Sequence, residues 1–265
     1  MSKHRDFILT PIEGILNEVP LALRNIDKGF ETYALYEYVM QSVFLKMTGF
    51  QEQKMKCICW EIATDDYEYR YKRYKRKPLG ECSDISEKNI VWDDLVEHVI
   101  SIGVPEVDLL NDDEKTRIID ETKKAVDSFY IETAMEGWAQ KEYSDYLALI
   151  KNCSKECLCF KSKKSYELLG HCDNCIRKKR IAAEGSICMY GTLADAYKKL
   201  YTHRNRCAHN THSYQHNLPS LQTMSDQKYV FENYFLHFAI LIMIDKMIVC
   251  LFKKYLKRGN IDFLL

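Results

Sequence analysis

The sequence predicts an all-α protein, and three observations carry that reading. Apolar residues recur at helical spacing through most of the chain, and no stretch alternates in the way a half-buried strand does. Glycine and proline contribute only 10 and 5 of 265 residues, too few for a turn-rich all-β chain.

The elements follow in order. From Phe30 to about Met47, apolar positions that include Val39, Val43 and Phe44 follow the 3.6-residue period, with Gly49 read as a break or a tight helix–helix contact. The pattern resumes through Met55, Ile58, Cys59 and Ile62, then fades into a charged, tyrosine-rich stretch ending at Pro78-Leu79-Gly80. A second block starts near Ser86. Ile90-Val91-Trp92, Leu95-Val96 and Val99-Ile100 make one amphipathic helix, stopped by Gly103 and Pro105. Asn111 or Asp112 caps the next helix by accepting from first-turn amides, and that helix runs through Ile118, Ala125, Phe129 and Met135 towards Ile150, with a break near Gly137. Residues 153–180 lose apolar periodicity and read as a Cys-rich, basic insertion. Helical pattern returns from Ile187 through Leu193, Ala196, Tyr197 and Leu200. A last helix, Tyr229 to about Lys257, is apolar nearly all round, which places it at the centre of a bundle or at a dimer interface. The chain thus divides into a helical part at 1–152, the insertion at 153–180 and C-terminal helices at 181–265.

Composition bounds the function. Lys+Arg and Asp+Glu cancel at 38 each, which excludes a uniformly basic protein that binds nucleic acid by bulk charge. The opening residues carry no secretory signal, and eleven cysteines in that context predict a reducing, cytoplasmic setting with thiols free or metal-bound. Residues 238–252 fall short of the roughly 20 apolar residues a membrane span needs and hold Asp245-Lys246 at their centre, so they read as a buried helix. No Gly-rich phosphate loop is present, and the pairs Asp65-Asp66, Asp93-Asp94 and Asp112-Asp113 read as caps and surface.

The sharpest constellation is His203-Arg204-Asn205-Arg206-Cys207-Ala208-His209-Asn210, at the end of one helix and before the last. Residues five apart on a straight helix sit about 140° apart, so Arg204 and His209 share a site only at a helix end or across two copies of the chain. The chemistry such a pair suits is phosphoryl transfer on RNA. A neutral His takes the proton from a ribose 2′-OH, or a protonated one gives it to the leaving 5′-oxygen, while Arg donates to the phosphorane where charge accumulates. No metal is required for catalysis, because the nucleophile is already in the substrate. On spacing alone, Arg, Asn and His near a helix end equally describe a solvated cap.

The R-N-x-x-x-H pattern at Arg204, Asn205 and His209, between two late helices of an all-α chain, resembles the HEPN superfamily of helical nucleotide-binding and ribonuclease domains. The upstream run from Phe30-Glu31 to Ala63, with an expected turn at Thr48 to Gln53 (TGFQEQ), is similar to the opening helical hairpin of stand-alone HEPN proteins. The resemblance covers about two thirds of the chain and leaves out the Cys-rich insertion. It implies a metal-independent endoribonuclease that leaves 2′,3′-cyclic phosphate ends. It also implies a homodimer whose protomers place Arg and His around one cleft, in a toxin or antiviral defence effector held by an inhibitor or trigger protein. By that carry-over Arg204 and His209 are the catalytic pair and Asn205 a positioning residue. HEPN toxins silenced by tyrosine AMPylation carry a Tyr two residues after the His; here that position is Thr211, and Tyr214 is no equivalent.

Around the pair, His203, His212 and His216 bind phosphate, take over proton transfer or belong to a polar loop, and Arg206 either binds a flanking phosphate or faces solvent. A second constellation, Cys153-x3-Cys157-x-Cys159 followed by Cys172-x2-Cys175 with His171 beside it, suits a structural zinc. Cys153, Cys157, Cys172 and Cys175 are the expected ligands, with Cys157/Cys159 and His171 as alternatives. Cys57, Cys59 and Cys82 show no second pair, and Cys188 and Cys250 read as core. The third constellation is YEYRYKRYKRK at 67–77. Its tyrosines interleave with Arg70, Arg73 and Arg76 as a track for single-stranded RNA, the plain alternative being a solvated helix end.

Two further functional classes fit the same residues. One is a non-catalytic HEPN-like binding module for a protein partner or nucleotide. The other is a zinc-containing nucleic-acid adaptor in which residues 153–180 do the binding.

Overall fold

The computed structural model describes residues 2–23, 33–133, 139–170, 192–209 and 233–257. The chain is mostly helical. Three short helices open it, α1 (Lys3–Leu9), α2 (Gly14–Asn17) and α3 (Val19–Leu23), followed by the long α4 (Tyr33–Asp65) and α5 (Tyr67–Tyr71), which continues into a π-helical turn at Lys72–Arg76. Then come α6 (Ile85–Ser101), α7 (Asp112–Glu132), α8 (Gln140–Ile150), strands β1 (Leu158–Lys161) and β2 (Tyr166–Leu169), α9 (Leu193–His209) and α10 (Tyr234–Leu256).

The last helix organises the rest. In α10 the residues from Phe235 to Ile244 are all buried, because α4, α6, α7, α8, α9 and α1 pack around it. By length and composition α10 would also pass as a membrane span, but its apolar surface is covered by the protein itself. Of the two expected settings for this helix, the centre of the bundle is the one observed. One hydrophobic cluster runs from Ile8 to Tyr255 and joins the segments 1–152 and 181–265 in a single core.

A polar seam crosses that core. Asp245, at mid-helix, takes the Lys54 Nζ of α4 at 2.5 Å on one oxygen and the Ile12 backbone N–H at 3.0 Å on the other. Gln51, one turn before Lys54, donates to the Leu241 carbonyl at 3.0 Å. Burial pushes Lys54 down and Asp245 up, and each charge pulls its partner back. An unpaired charge here would be costly, so the pair fixes the register of α4 on α10.

Two expectations about α4 are corrected. Gly49 is neither a break nor a tight contact, since α4 runs through it and a Cβ added there would meet nothing within 4 Å. Thr48 to Gln53 is therefore helix rather than turn. A single mid-helix glycine costs about 1 kcal/mol, which the buried Gln51 and Lys54 contacts outweigh.

Caps were legible. Asn111 begins α7 with a reciprocal capping box, Glu114 N–H to Asn111 Oδ1 at 2.8 Å and Asn111 N–H to Glu114 Oε2 at 3.1 Å. Asp84 caps α6 and Asn233 caps α10 in the same side-chain manner.

The start of the expected insertion holds a short antiparallel hairpin, Leu158 opposite Leu169 and Phe160 opposite Glu167, where no strand was expected. Four-residue strands are too brief for alternation to be read. Leu158, Leu168 and Leu169 join the core, and Asp93 and Asn89 of α6 accept from the Tyr166 and Leu168 amides at 2.9 and 3.1 Å. Gly170 closes the hairpin against Cys157 O at 2.7 Å; a Cβ there would lie 2.7 Å from Phe160 Cβ and 2.8 Å from Glu156 O.

Candidate active site

Helix α9 presents the R-N-x-x-x-H segment on its last turns, with one face against α4 and another against α10 and α6. Arg204 reaches α4. Its Nη2 lies 3.0 and 3.1 Å from the two Glu52 carboxylate oxygens, and its Nη1 donates to Asn205 Oδ1 at 3.2 Å. The Nε edge of the guanidinium has no acceptor among the described residues. The side chain is 23% exposed, so the group is oriented by protein contacts while part of it reaches solvent.

Beneath this pair lies Lys88 of α6, wholly buried, with its Nζ donating to the Cys82 carbonyl at 2.7 Å and set 6.0 Å from the Tyr197 ring centroid. Burial lowers the Lys88 pKa to about 8, the Glu52 carboxylate pulling it up and Arg204 pushing it further down. Glu52 thus balances two cations from two other helices. Tyr197, fully buried on α9, donates to the Ser83 carbonyl at 2.9 Å and ties that helix to the loop before α6.

The next face of α9 is packed rather than open. His203 is buried and stacks on Phe44, centroids 5.2 Å apart, beside Tyr234 and His237 of α10. Its Nε2 meets Tyr234 Oη at 3.1 Å and its Nδ1 meets Arg206 Nη2 at 3.2 Å. Arg206 can only donate, so in that contact Nδ1 is the acceptor. His237 is also buried, its Nδ1 has no hydrogen-bond partner among the described residues, and desolvation with nearby His203 drops its pKa to about 3. Cys207 Sγ lies 3.5 Å from His203 Nε2. Burial alone would raise that thiol, but the His203 contact more than offsets it and the net shift is downward.

The expected site residues therefore distribute as follows. Arg204 and Asn205 share one cluster. His209 is the last residue of α9, about 140° round the helix from Arg204, and its side chain lies outside the described residues. Arg206 is exposed, and His203 is in the core. Arg70 and Arg76 are exposed, whereas Arg73 is engaged by the buried Asp94 through Nε at 2.6 Å and Nη2 at 2.5 Å, with Lys72 3.6 Å away. Asp94 is thus not a surface residue, which corrects the reading of Asp93-Asp94. Cys157 is buried and Cys153 half-buried at the foot of the hairpin, while Cys172, Cys175 and His171 lie outside the described residues. Among the described residues no group of three or more His, Cys, Asp or Glu is placed to hold a metal ion. His212, His216, Thr211, Tyr214 and Cys188 also lie outside the described residues.

Sequence reasoning missed Glu52 and Lys88. Their signal, a charged residue on an otherwise apolar helix face, is shared by many side chains that simply snorkel to solvent. Comparison with protein-family models, curated proteins and solved structures returned no match to this chain.

Proposed function

We propose that the chain is a metal-independent endoribonuclease of HEPN type, with Arg204 and His209 acting around a cleft shared by two copies. One observation carries the reading: Arg204, in the last turns of α9, is held by Glu52 and Asn205 through its two terminal nitrogens while its side chain stays partly exposed. A guanidinium fixed in that way is pre-positioned to donate to a phosphorane, and little reorganisation is needed when charge develops there. Asn205 acts as a positioning residue.

His209 supplies the proton transfer. In the forward step it takes the 2′-OH proton as that oxygen attacks the adjacent phosphorus. The P–O5′ bond breaks, the imidazolium so formed gives its proton to the departing 5′-oxygen, and a 2′,3′-cyclic phosphate remains. Arg204 and His209 are about 140° apart on α9, and in the proposed cleft the Arg of one protomer works with the His of the other. By their sequence spacing, Cys153, Cys157, Cys172 and Cys175 would supply the thiolates that a structural zinc takes. Metal analysis of the purified protein tests that part, with one zinc per chain expected and none contradicting it.

The activity is tested by incubating the protein and its His209→Ala variant with total RNA in excess EDTA and mapping the cut ends. Cleavage by wild type alone with 2′,3′-cyclic phosphate ends is the expected result. Equal cleavage by both would reject the Arg204–His209 assignment, and cleavage by neither would favour a non-catalytic binding module.

A further inference from the structure

The tyrosine-rich stretch is more than a charged helix end. Where α4 turns into α5, Trp60 of α4 and Tyr67, Tyr71 and Tyr74 line a groove of about 530 Å³, with Arg70 and Lys75 completing its wall. All four aromatic rings are substantially exposed: Trp60 50%, Tyr67 80%, Tyr71 61% and Tyr74 47%. Trp60 and Tyr74 meet edge to face at 6.5 Å between centroids, which holds both rings at an angle rather than stacked on each other. Large aromatic faces left in water at one place mark a binding site more often than a fold requirement.

The cations choose the occupant. Neither Arg70 nor Lys75 has a carboxylate partner among the described residues, whereas Arg73, three residues from Arg70, is wholly committed to Asp94. The segment thus separates one structural arginine from two groove cations. A groove that combines unstacked rings with uncommitted positive charge matches a ligand with flat π-faces and a regularly charged backbone. An apolar or proline-rich peptide would satisfy the rings and leave the cations without a counterpart. Duplex nucleic acid would satisfy the cations and keep its bases out of reach.

We infer that this groove binds the unpaired bases of single-stranded RNA, stacking them on Trp60 and Tyr71 while Arg70 and Lys75 hold the flanking phosphates. The inference rests on the ribonuclease reading for its choice of RNA and adds the part of the substrate that is recognised away from the cut. Glu52, which holds Arg204, and Trp60 lie on the same helix about 12 Å apart along its axis. One strand would therefore reach both the groove and the arginine within a short run of nucleotides, which selects substrates with a single-stranded stretch next to the scissile phosphate.

The test is fluorescence anisotropy of a short fluorescein-labelled single-stranded RNA of mixed sequence, in EDTA, with the full chain carrying His209→Ala so that the probe stays intact. Trp60→Ala and Tyr71→Ala should each weaken binding about tenfold, while Tyr71→Phe keeps it. Arg70→Gln with Lys75→Gln should weaken it further and flatten the slope of log affinity against log salt by about 1.4. Trp60 and Tyr71 are exposed enough that unchanged circular dichroism is expected for each variant. Three outcomes would overturn the inference: unchanged affinity in every groove variant, equal Trp60-dependent binding of duplex RNA, or saturation of the groove by a proline-rich peptide that RNA does not displace. Binding and cleavage are read separately. Trp60-dependent binding without any wild-type cleavage keeps the groove and rejects the catalytic reading.

Discussion

Arg73 and Arg204 are each paired with a carboxylate from another helix, and the two pairs differ in geometry and exposure. Arg73 meets Asp94 side-on, with Nε and Nη2 on separate oxygens at 2.6 and 2.5 Å, and only 11% of its side chain is exposed. That geometry uses the Nε/Nη2 fork of the guanidinium and leaves little of the side chain in solvent. Arg204 meets Glu52 through Nη2 alone, at 3.0 and 3.1 Å, and 23% of its side chain is exposed. The first pair staples the turn after α5 to α6. The second holds a cation in place without consuming it. In a sequence both are simply basic residues near helix ends, so the distinction belongs to geometry.

The sharpest way to break the comparison is to remove each arginine. Arg204→Ala should lower RNA cleavage by about 10²–10³-fold with a small change in thermal midpoint, because it removes a transition-state donor. Arg73→Ala should cost about 1.5–3 kcal/mol of stability, since it removes two charge-assisted hydrogen bonds and leaves the buried Asp94 with Lys72 as its nearby cation, while cleavage per folded molecule stays close to wild type. Denaturant melts paired with activity at equal folded fraction would check both, and a reversal of the two phenotypes would undo the comparison.

Glu52→Gln sharpens it from the other side. The substitution keeps the shape of the side chain but leaves Lys88 and Arg204 without their shared counter-charge. A loss of about 1–3 kcal/mol is expected in urea melts, together with slower cleavage as Arg204 loses its anchor. A variant as stable as wild type would mean Glu52 is not holding the two cations.

Buried bases on the Arg204 side predict pH effects with definite signs. His237, with its pKa lowered to about 3, stays neutral in the fold while the unfolded chain takes up a proton below pH about 6.5. The unfolded state therefore binds more protons in that window, and stability falls as pH drops from about 6.5 towards 3 by about 1.4 kcal/mol per unit. His237→Phe, which preserves the ring packing on Phe44, should flatten this acid limb, as read by melts at stepped pH. Lys88, lowered to about 8 by burial, acts over a narrower window. Between pH about 8 and its ordinary value near 10.5 the folded state has shed a proton that the unfolded state still holds, so this group adds stability as pH rises. Wild type should gain on Lys88→Met across that window, and a constant gap would show that Lys88 does not titrate there.

How much of this was legible beforehand differs by scale. Helix positions, the Asn111 cap and the buried central helix could be read because they depend on neighbours within a few residues. The Lys54–Asp245 and Arg204–Glu52 pairs could not, since their members lie 191 and 152 residues apart and meet only through the crossing of α4 with α10 and α9. Gly49 misled because local propensity is weak against a long helix packed on both sides. Arg73 looked equivalent to Arg70 and Arg76, and only its reach to Asp94 across the turn distinguishes it. His203 looked like part of the motif, yet its ring completes an aromatic cluster with Phe44, Tyr234 and His237.

The most direct test of the central claim is complementation between two inactive chains. Arg204→Ala and His209→Ala proteins are unfolded together, refolded as a mixture and assayed for RNA cleavage in EDTA beside wild type and each variant alone. A cleft built from two copies predicts that each variant alone is inactive and that the mixture recovers a substantial share of wild-type cleavage, because mixed dimers bring one intact Arg204 to one intact His209. A mixture as inactive as its components, beside an active wild type, would place both residues' work within one chain and contradict the shared cleft.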